Sequence, residues 1–193
     1  MRNIRMKVCR LQKDTGINMN KEFEQELTKA ARKAFEELFQ THDEHFYYCS
    51  LITCEMACPY ISAWSDEALK MYCEENEITS EEEILDYKWS YADSPYCAYG
   101  WDYFEEAERL FACEETEDMD DEEYDDWAAG LLECMERVMH NLDKEELFGT
   151  GEKRRRILVN AEVMPPDHTN AERALRLNRE EDIEDWLNEA AEE

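Results

Sequence analysis

Glycine and proline are scarce in this chain, since its 193 residues include only 5 Gly and 4 Pro. So few turn-forming residues argue against long linkers and against an all-β fold with many turns. No stretch approaches the roughly 18 consecutive apolar residues that a membrane-spanning helix requires, so we expect no membrane association. The length is typical of one domain. We predict a basic N-terminal lead over residues 1–19 and a single folded domain over residues 20–193.

Positive charge is also scarce, with 21 Lys and Arg against 50 Asp and Glu, which gives a formal net charge of −29. The excess is concentrated, because residues 66–126 alone carry a net charge of −21. Ten of the 13 residues from 114 to 126, here called the acidic segment, are acidic and none is basic. Such a field repels nucleic acid and favours encounter with a basic partner. A solvated face that only aids solubility is the competing interpretation.

The signals for catalytic, metal and redox chemistry are weak. The 8 Cys lie mostly within apolar or aromatic segments, and no secretory signal precedes them, which favours free thiols in a reducing cytoplasm. His42, His45, Cys49, Cys54 and Cys58 fall close together but lack the spacing of a zinc site. Neither a Gly-x-Ser-x-Gly turn nor a Walker or dinucleotide loop is present. We expect no metal and no cofactor.

The periodicity of apolar residues predicts helices and strands in mixed order. Apolar residues recur at helical spacing over residues 20–40, 127–142 and 171–191, and runs rich in β-branched and aromatic residues predict strands at 46–53, 60–64 and 156–163. Asn20, Ser65 and Ser80 are predicted N-caps, and Thr169 or Asn170 is predicted to cap the closing helical region. This order favours an α+β fold with a small, largely antiparallel sheet covered by amphipathic helices.

Seven Tyr or Trp side chains crowd into residues 87–103. Nucleic-acid grooves interleave aromatic rings with cations, whereas this stretch carries Lys88 alone among basic residues, so nucleic acid is not the expected ligand. The rings belong either to the core or to a protein interface. For the interface we select Tyr96, Tyr99 and Trp101 as candidate anchors.

Two short motifs near the C-terminus carry a family resemblance. Residues 143–154, which include Phe148-Gly149-Thr150-Gly151, and the later Arg176-Leu177-Asn178 resemble the C-terminal half of the bacterial family known as domain of unknown function 4303. The family has no established reaction, so the resemblance implies no catalytic residues. Related small α+β families are commonly immunity proteins encoded beside toxins, which is an analogy of class only.

These observations favour a non-enzymatic acidic binding protein, an immunity protein or antitoxin that covers the basic active-site surface of a cognate toxin of the nuclease type. A DNA-mimic inhibitor of a nucleic-acid enzyme is one alternative. An uncharacterised enzyme is another, and it would require a concave pocket that holds a histidine or carboxylate of shifted pKa. The sequence does not predict the oligomeric state. The predicted partner-binding carboxylates are Glu114, Glu115, Glu117, Asp118, Asp120, Asp121, Glu122, Glu123, Asp125 and Asp126.

Overall fold

Three strands and the helices around them make up the part of the chain that the computed structural model describes, residues 21–114, 116 and 118–192. The strands are β1 (Phe46–Cys54), β2 (Tyr60–Ser65) and β3 (Leu158–Met164). The helices are α1 (Lys21–Thr41), α2 (Asp66–Glu75), α3 (Glu81–Lys88), α4 (Glu105–Phe111), α5 (Asp121–Lys144), α6 (Gly151–Arg155), α7 (His168–Leu177) and α8 (Glu184–Glu189), with single 3-10 turns at Trp101–Phe104 and Glu180–Asp182. The predicted basic lead and the predicted cap Asn20 lie outside the described residues.

The strands form one sheet in the order β2-β1-β3. β1 and β2 are antiparallel, with Tyr48 opposite Trp64, whereas β3 lies parallel to β1, with Leu158 opposite Tyr48. The α+β class is therefore confirmed. The expected antiparallel pairing holds for the β1–β2 hairpin, and the β3 pairing makes the sheet mixed, because the chain returns to β1 through several intervening helices.

The two longest helices supply the largest buried faces. α1 buries apolar side chains at helical spacing from Phe23 to Leu38, and α5 does the same from Trp127 to Leu142. α1 contacts β2, and α5 contacts β1 and β3. Both helices are therefore placed where the apolar periodicity predicts. None of the described helices combines the length and the apolar character that crossing a membrane demands.

Most predicted helix starts are confirmed, and one is wrong. The Ser65 hydroxyl accepts the Ala68 N–H at the start of α2, and the Ser80 hydroxyl accepts the Glu83 N–H at the start of α3. The closing region begins earlier than predicted, because Asp167 is the N-cap of α7 and accepts the Thr169 N–H. Thr169 and Asn170 consequently lie inside the helix. The region is also interrupted between α7 and α8 rather than continuous to residue 191.

Side chains of α7 occupy the open edge of β3, where a fourth strand would otherwise pair. The Asn178 amide donates to the Val159 carbonyl at 2.7 Å and accepts the Val159 N–H at 3.1 Å. The Asn170 amide makes the same two bonds with Val163, at 3.0 and 2.8 Å. Between them, the Arg173 guanidinium donates to the Ala161 carbonyl at 2.6 Å.

The spacing of these bonds follows from the geometry of the two elements. Eight residues of helix advance about 12 Å, and four residues of strand advance about 13 Å. Two amides eight residues apart on α7 therefore meet two residues four apart on β3. Side-chain amides replace main-chain amides, so the strand's polar groups are satisfied without another strand.

The opposite edge of the sheet, along β2, is covered by the aromatic-rich segment. The Ala98 N–H donates to the Ile61 carbonyl at 2.9 Å, and the Ser94 hydroxyl donates to the Ala63 carbonyl. Ala98 adopts a positive φ of 54°, which turns its N–H toward the strand. A loop thus occupies the outer edge of β2, and part of the segment 87–103 has a structural role.

Replacing Asn170 with alanine tests the side-chain pairing at the β3 edge. We expect Asn170→Ala to lower the free energy of unfolding by about 2–4 kcal/mol, because it leaves the buried N–H and C=O of Val163 without partners. Urea denaturation followed by circular dichroism measures the change. The matched control is Asn188→Ala, since the exposed Asn188 amide bonds only within its own helix. Equal stability losses in the two variants would contradict the role assigned to Asn170.

Candidate functional site

The acidic segment is divided between a loop and the first turns of α5. The Asp120 carboxylate caps α5 by accepting the Glu123 N–H at 2.9 Å, and the Glu123 carboxylate bonds back to the Asp120 N–H. Acidic residues at a helix N-terminus interact favourably with the helix dipole. The sequence therefore places its densest acidic run where it helps to start a helix.

Most of the predicted carboxylates face solvent. The exposed members are Asp118, Asp120, Asp121, Glu122, Glu123, Asp125 and Asp126. Glu114 is half-buried, and burial raises the pKa of its carboxyl group. Glu115 and Glu117 lie outside the described residues. Trp127 directly follows the segment and is buried against Phe111, with ring centroids 5.8 Å apart, so the helical carboxylates stand on an anchored element.

Within the part of the chain that the structure describes, the carboxylates of this surface have no cationic partner. Among the described residues, no ion pair involves an acidic side chain between positions 114 and 126, whereas Glu136 later on α5 pairs with Arg176 at 2.8 Å. An unpaired cluster of this kind projects its field into solvent. It is open to a cationic surface.

The three candidate aromatic anchors occupy different environments. Tyr96 is buried at 5% exposure, and its hydroxyl donates to the Glu44 carboxylate at 2.8 Å. The structure therefore corrects the expectation that its ring anchors a partner. Tyr99 is half-buried against Tyr96 and His42. Trp101 is 65% exposed and is the one candidate of the three that offers a large free apolar surface.

A cavity of about 490 Å³ opens at one end of the sheet. It lies where β1 and β3 begin and β2 ends, so Phe46, Ile157 and Asp66 all line it. A volume of this order is typical of small-molecule sites. The remaining lining residues are Phe39, His42, Asp43, Glu44, His45, Tyr47, Leu147, Phe148, Glu152, Lys153 and Arg156.

Aromatic rings form the apolar wall of this cavity. The Phe39 ring lies edge-on to Phe46 at 5.0 Å and edge-on to Phe148 at 6.3 Å. Phe148 in turn packs edge-on against Phe35 of the core at 5.1 Å. These contacts join the wall to the hydrophobic core.

The Gly149-Thr150-Gly151 turn shapes the adjacent rim. Gly149 has a φ of 92°, and a Cβ placed there would lie 3.0 Å from Cδ of Lys153. Gly151 also has a positive φ, 56°, but has no atom within 4 Å of its Cβ position. The turn leads into the short helix α6 rather than directly into a strand, and β3 begins at Leu158 instead of at the predicted position 156.

The basic run after this turn is divided among different partners. Arg154 is half-buried and bonds to Asp143, to the carbonyls of Ile157 and Leu177, and to the Asn178 side chain. Arg155 pairs with Asp182 at 3.0 Å. By contrast, Lys153 and Arg156 line the cavity, and within the described part of the chain neither side chain makes an ion pair or a hydrogen bond.

Two histidine–carboxylate pairs stand at the opposite rim. His45 Nδ1 of the imidazole lies 2.6 Å from Glu67 Oε1. The backbone N–H of His45 donates to the other oxygen of the same carboxylate at 2.8 Å. The hydrogen bond from His45 lowers the pKa of Glu67 to about 2 and Glu67 raises the pKa of His45 above 6.5. His42 Nδ1 lies 3.6 Å from Glu44, whose carboxylate also accepts the Ser65 hydroxyl.

Sequence reasoning missed the cavity, although it noticed several of its parts. His42 and His45 occur in the sequence only as members of a poorly spaced metal-ligand group, and the basic residues at 153–156 follow a glycine turn that lacks a Walker or dinucleotide pattern. They meet only because β1 and β3 are parallel neighbours, which puts their N-terminal ends together. No group of three or more His, Cys, Asp or Glu suited to a metal ion occurs among the described residues, and their seven cysteines are all free.

The fold and these surfaces define a small α+β protein that has an exposed acidic helix start and a separate cavity with an aromatic wall. The chain belongs to the family described as Domain of unknown function (DUF4303), which matches residues 27–179. The match includes both motifs that carry the resemblance. No curated protein and no solved structure matches the chain.

The His45–Glu67 pair gives a pH-dependent prediction. The stabilisation due to the lowered pKa of Glu67 is fully present above its ordinary pKa of 4.5, and that due to the raised pKa of His45 is fully present below 6.5. Both groups are therefore charged and the ion pair is fully formed between these two pH values. It weakens as pH rises through the raised pKa of His45, or falls toward the lowered pKa of Glu67. An NMR titration of the imidazole should place the pKa of His45 above 6.5, and Glu67→Gln should return it toward that value. Glu75→Gln, on the exposed face of the same helix, is the control and should leave it unchanged.

The two glycines of the turn give a matched pair of variants. We expect Gly151→Ala to cost about 1 kcal/mol of stability, the strain of a left-handed backbone alone. Gly149→Ala should cost about 2 kcal/mol, because its methyl group also meets the Lys153 stem. Urea denaturation compares them. If Gly149→Ala costs no more than Gly151→Ala, the turn does not hold Lys153 against the rim.

Proposed function

We propose that this protein is a non-enzymatic binding protein of the immunity or antitoxin type, acting in the cytoplasm on a basic protein partner. The observation that carries the proposal is the row of exposed, unpaired carboxylates at the start of α5, which includes Asp121, Glu122, Asp125 and Asp126. A nuclease toxin must hold a polyanionic substrate, so its active-site surface is cationic. A rigid carboxylate surface competes for the same cations.

The energetic argument rests on preorganisation. The carboxylates on α5 are held by a capped helix whose first buried side chain is Trp127, so binding orders few additional groups. The field of an acid-rich surface accelerates encounter with a cationic partner and weakens with salt. Trp101, at 65% exposure, adds a large apolar group of the kind that contributes most to protein interfaces.

A charge-neutralised variant tests the proposal. It carries Asp121→Asn, Glu122→Gln, Asp125→Asn and Asp126→Asn and leaves the capping pair Asp120 and Glu123 in place. The probe is the C-terminal toxin domain encoded beside this gene, and calorimetry measures its affinity. We expect the wild type to lose at least about tenfold in affinity as ionic strength rises from about 0.05 to 0.5 M. The variant should bind more weakly at low salt and respond less to salt.

The matched control removes four charges elsewhere. Glu74→Gln, Glu75→Gln, Glu81→Gln and Glu82→Gln alter exposed acids of α2 and α3 and should leave the affinity close to that of the wild type. Equal effects from the two variants would mean that the acidic segment acts only through the net charge of the protein and is not a specific binding surface. The lack of a toxin gene beside this one would contradict the proposal. Displacement of duplex DNA from several unrelated DNA-binding proteins would favour a DNA mimic instead.

A further inference from the structure

Arg156 is exceptional among the arginines of this acidic protein. Of the nine arginines between positions 21 and 192, it is the one whose side chain makes neither an ion pair nor a hydrogen bond within the described structure. Seven of the others pair with carboxylates, and Arg173 bonds to the Ala161 carbonyl and the Asn170 side chain. Asp66, Asp182 and Asp185 line the space around Arg156, but none of the described carboxylates forms an ion pair with its guanidinium.

The second unpaired cation of the cavity lies beside the first. Lys153 and Arg156 are three residues apart on the helical turn formed by α6 and its C-cap, so their side chains share one face. The Lys153 stem crosses the bare face of Gly149, which restricts its direction. Two cations at one rim can bind a single anionic group together, and the planar Arg fork suits phosphate and carboxylate oxygens.

The wall next to these cations is apolar and aromatic. Phe39 is half-buried and joins Phe46 and Phe148 in edge-on contacts, and Leu147 and Ile157 complete the same wall. Aromatic pockets of this kind hold flat rings by stacking and by burial of apolar area. The cations and the wall together match a ligand with one charged end and one planar end.

We propose that this cavity binds a small organic anion that has an aromatic ring, with its phosphate or carboxylate at Lys153 and Arg156 and its ring against the phenylalanine wall. This site is independent of the acidic segment and goes beyond the proposed binding function. The two possible head groups share one chemistry, since both present planar or tetrahedral anionic oxygens to the same cations.

The acidic residues of the lining do not remove this preference. Glu44 accepts hydroxyl hydrogen bonds from Tyr96 and Ser65, and Glu152 lies 3.8 Å from Arg155. Asp43 and Asp66 are exposed at the rim, where solvent screens them. Across the cavity from Arg156, His45 is already paired with Glu67, so neither group of that pair competes for the unpaired cations.

Calorimetry on the full chain with four probes tests the proposal. Adenosine monophosphate carries a ring and a phosphate, indole-3-acetate carries a ring and a carboxylate, adenosine carries the ring alone, and inorganic phosphate carries the head group alone. At least one of the two ring-bearing anions should bind with a dissociation constant of about 1 mM or tighter, and adenosine and phosphate should each bind at least about tenfold more weakly. The stronger of the two anions identifies the head group.

Two substitutions assign the binding to the cavity. Arg156→Gln and Lys153→Gln should each weaken the better probe by about tenfold, the cost of losing one charge-assisted contact. Lys144→Gln removes another exposed, unpaired cation that lies outside the cavity and should change the affinity less than twofold. All three residues are exposed, so thermal melting should report an unchanged fold.

Three results would overturn the proposal. They are the failure of both ring-bearing anions to bind, an affinity for the better probe that Arg156→Gln leaves unchanged, and binding of inorganic phosphate as tight as that of the better probe. None of them bears on the toxin affinity of the acidic segment, which the charge-neutralised α5 variant measures separately. The two proposals can therefore fail independently.

Discussion

The constraint that most shapes this molecule is the closure of a three-stranded sheet that has no further strand at either edge among the described residues. On the β3 side, the amides of Asn170 and Asn178 bond to Val163 and Val159 in place of a neighbouring main chain. On the β2 side, the Ala98 N–H donates to the Ile61 carbonyl. Buried N–H and C=O groups left without partners would cost more than so small a sheet could offset. The position of α7 and the path of the aromatic segment both follow from this requirement.

The two motifs that carry the family resemblance have distinct physical roles that meet at one residue. Phe148 and Gly149 build the wall and rim of the cavity, while Asn178 closes the sheet edge. Arg154 connects them, because it follows the glycine turn and bonds to both the Leu177 carbonyl and the Asn178 side chain. Arg154 thereby joins the cavity to the same edge that stabilises the sheet. The two unpaired cations of the cavity flank this bonded residue in the sequence.

Features that depend on residues close together in the sequence could be predicted from it. Features that depend on pairing between distant parts of the chain could not. The apolar stripes of α1 and α5, the hairpin strands and the caps Ser65 and Ser80 follow from residues within a few positions of one another. The cap of α7 was misplaced because Asp167, Thr169 and Asn170 are all plausible caps, and Asn170 is instead required at the β3 edge. For the site, the exposure of the α5 carboxylates follows from composition. The burial of Tyr96 depends on Glu44, and the cavity depends on the parallel pairing of β3.

Closure of both edges also restricts how this protein can recognise another chain. Partners that recognise a sheet by adding a strand of their own need a free row of main-chain donors and acceptors. Here the rows along β2 and β3 are already engaged by an asparagine helix and a loop. The proposed binding of a partner would therefore rely on side chains rather than on an added strand, and the same closure guards the sheet against edge-to-edge aggregation and strand exchange between copies.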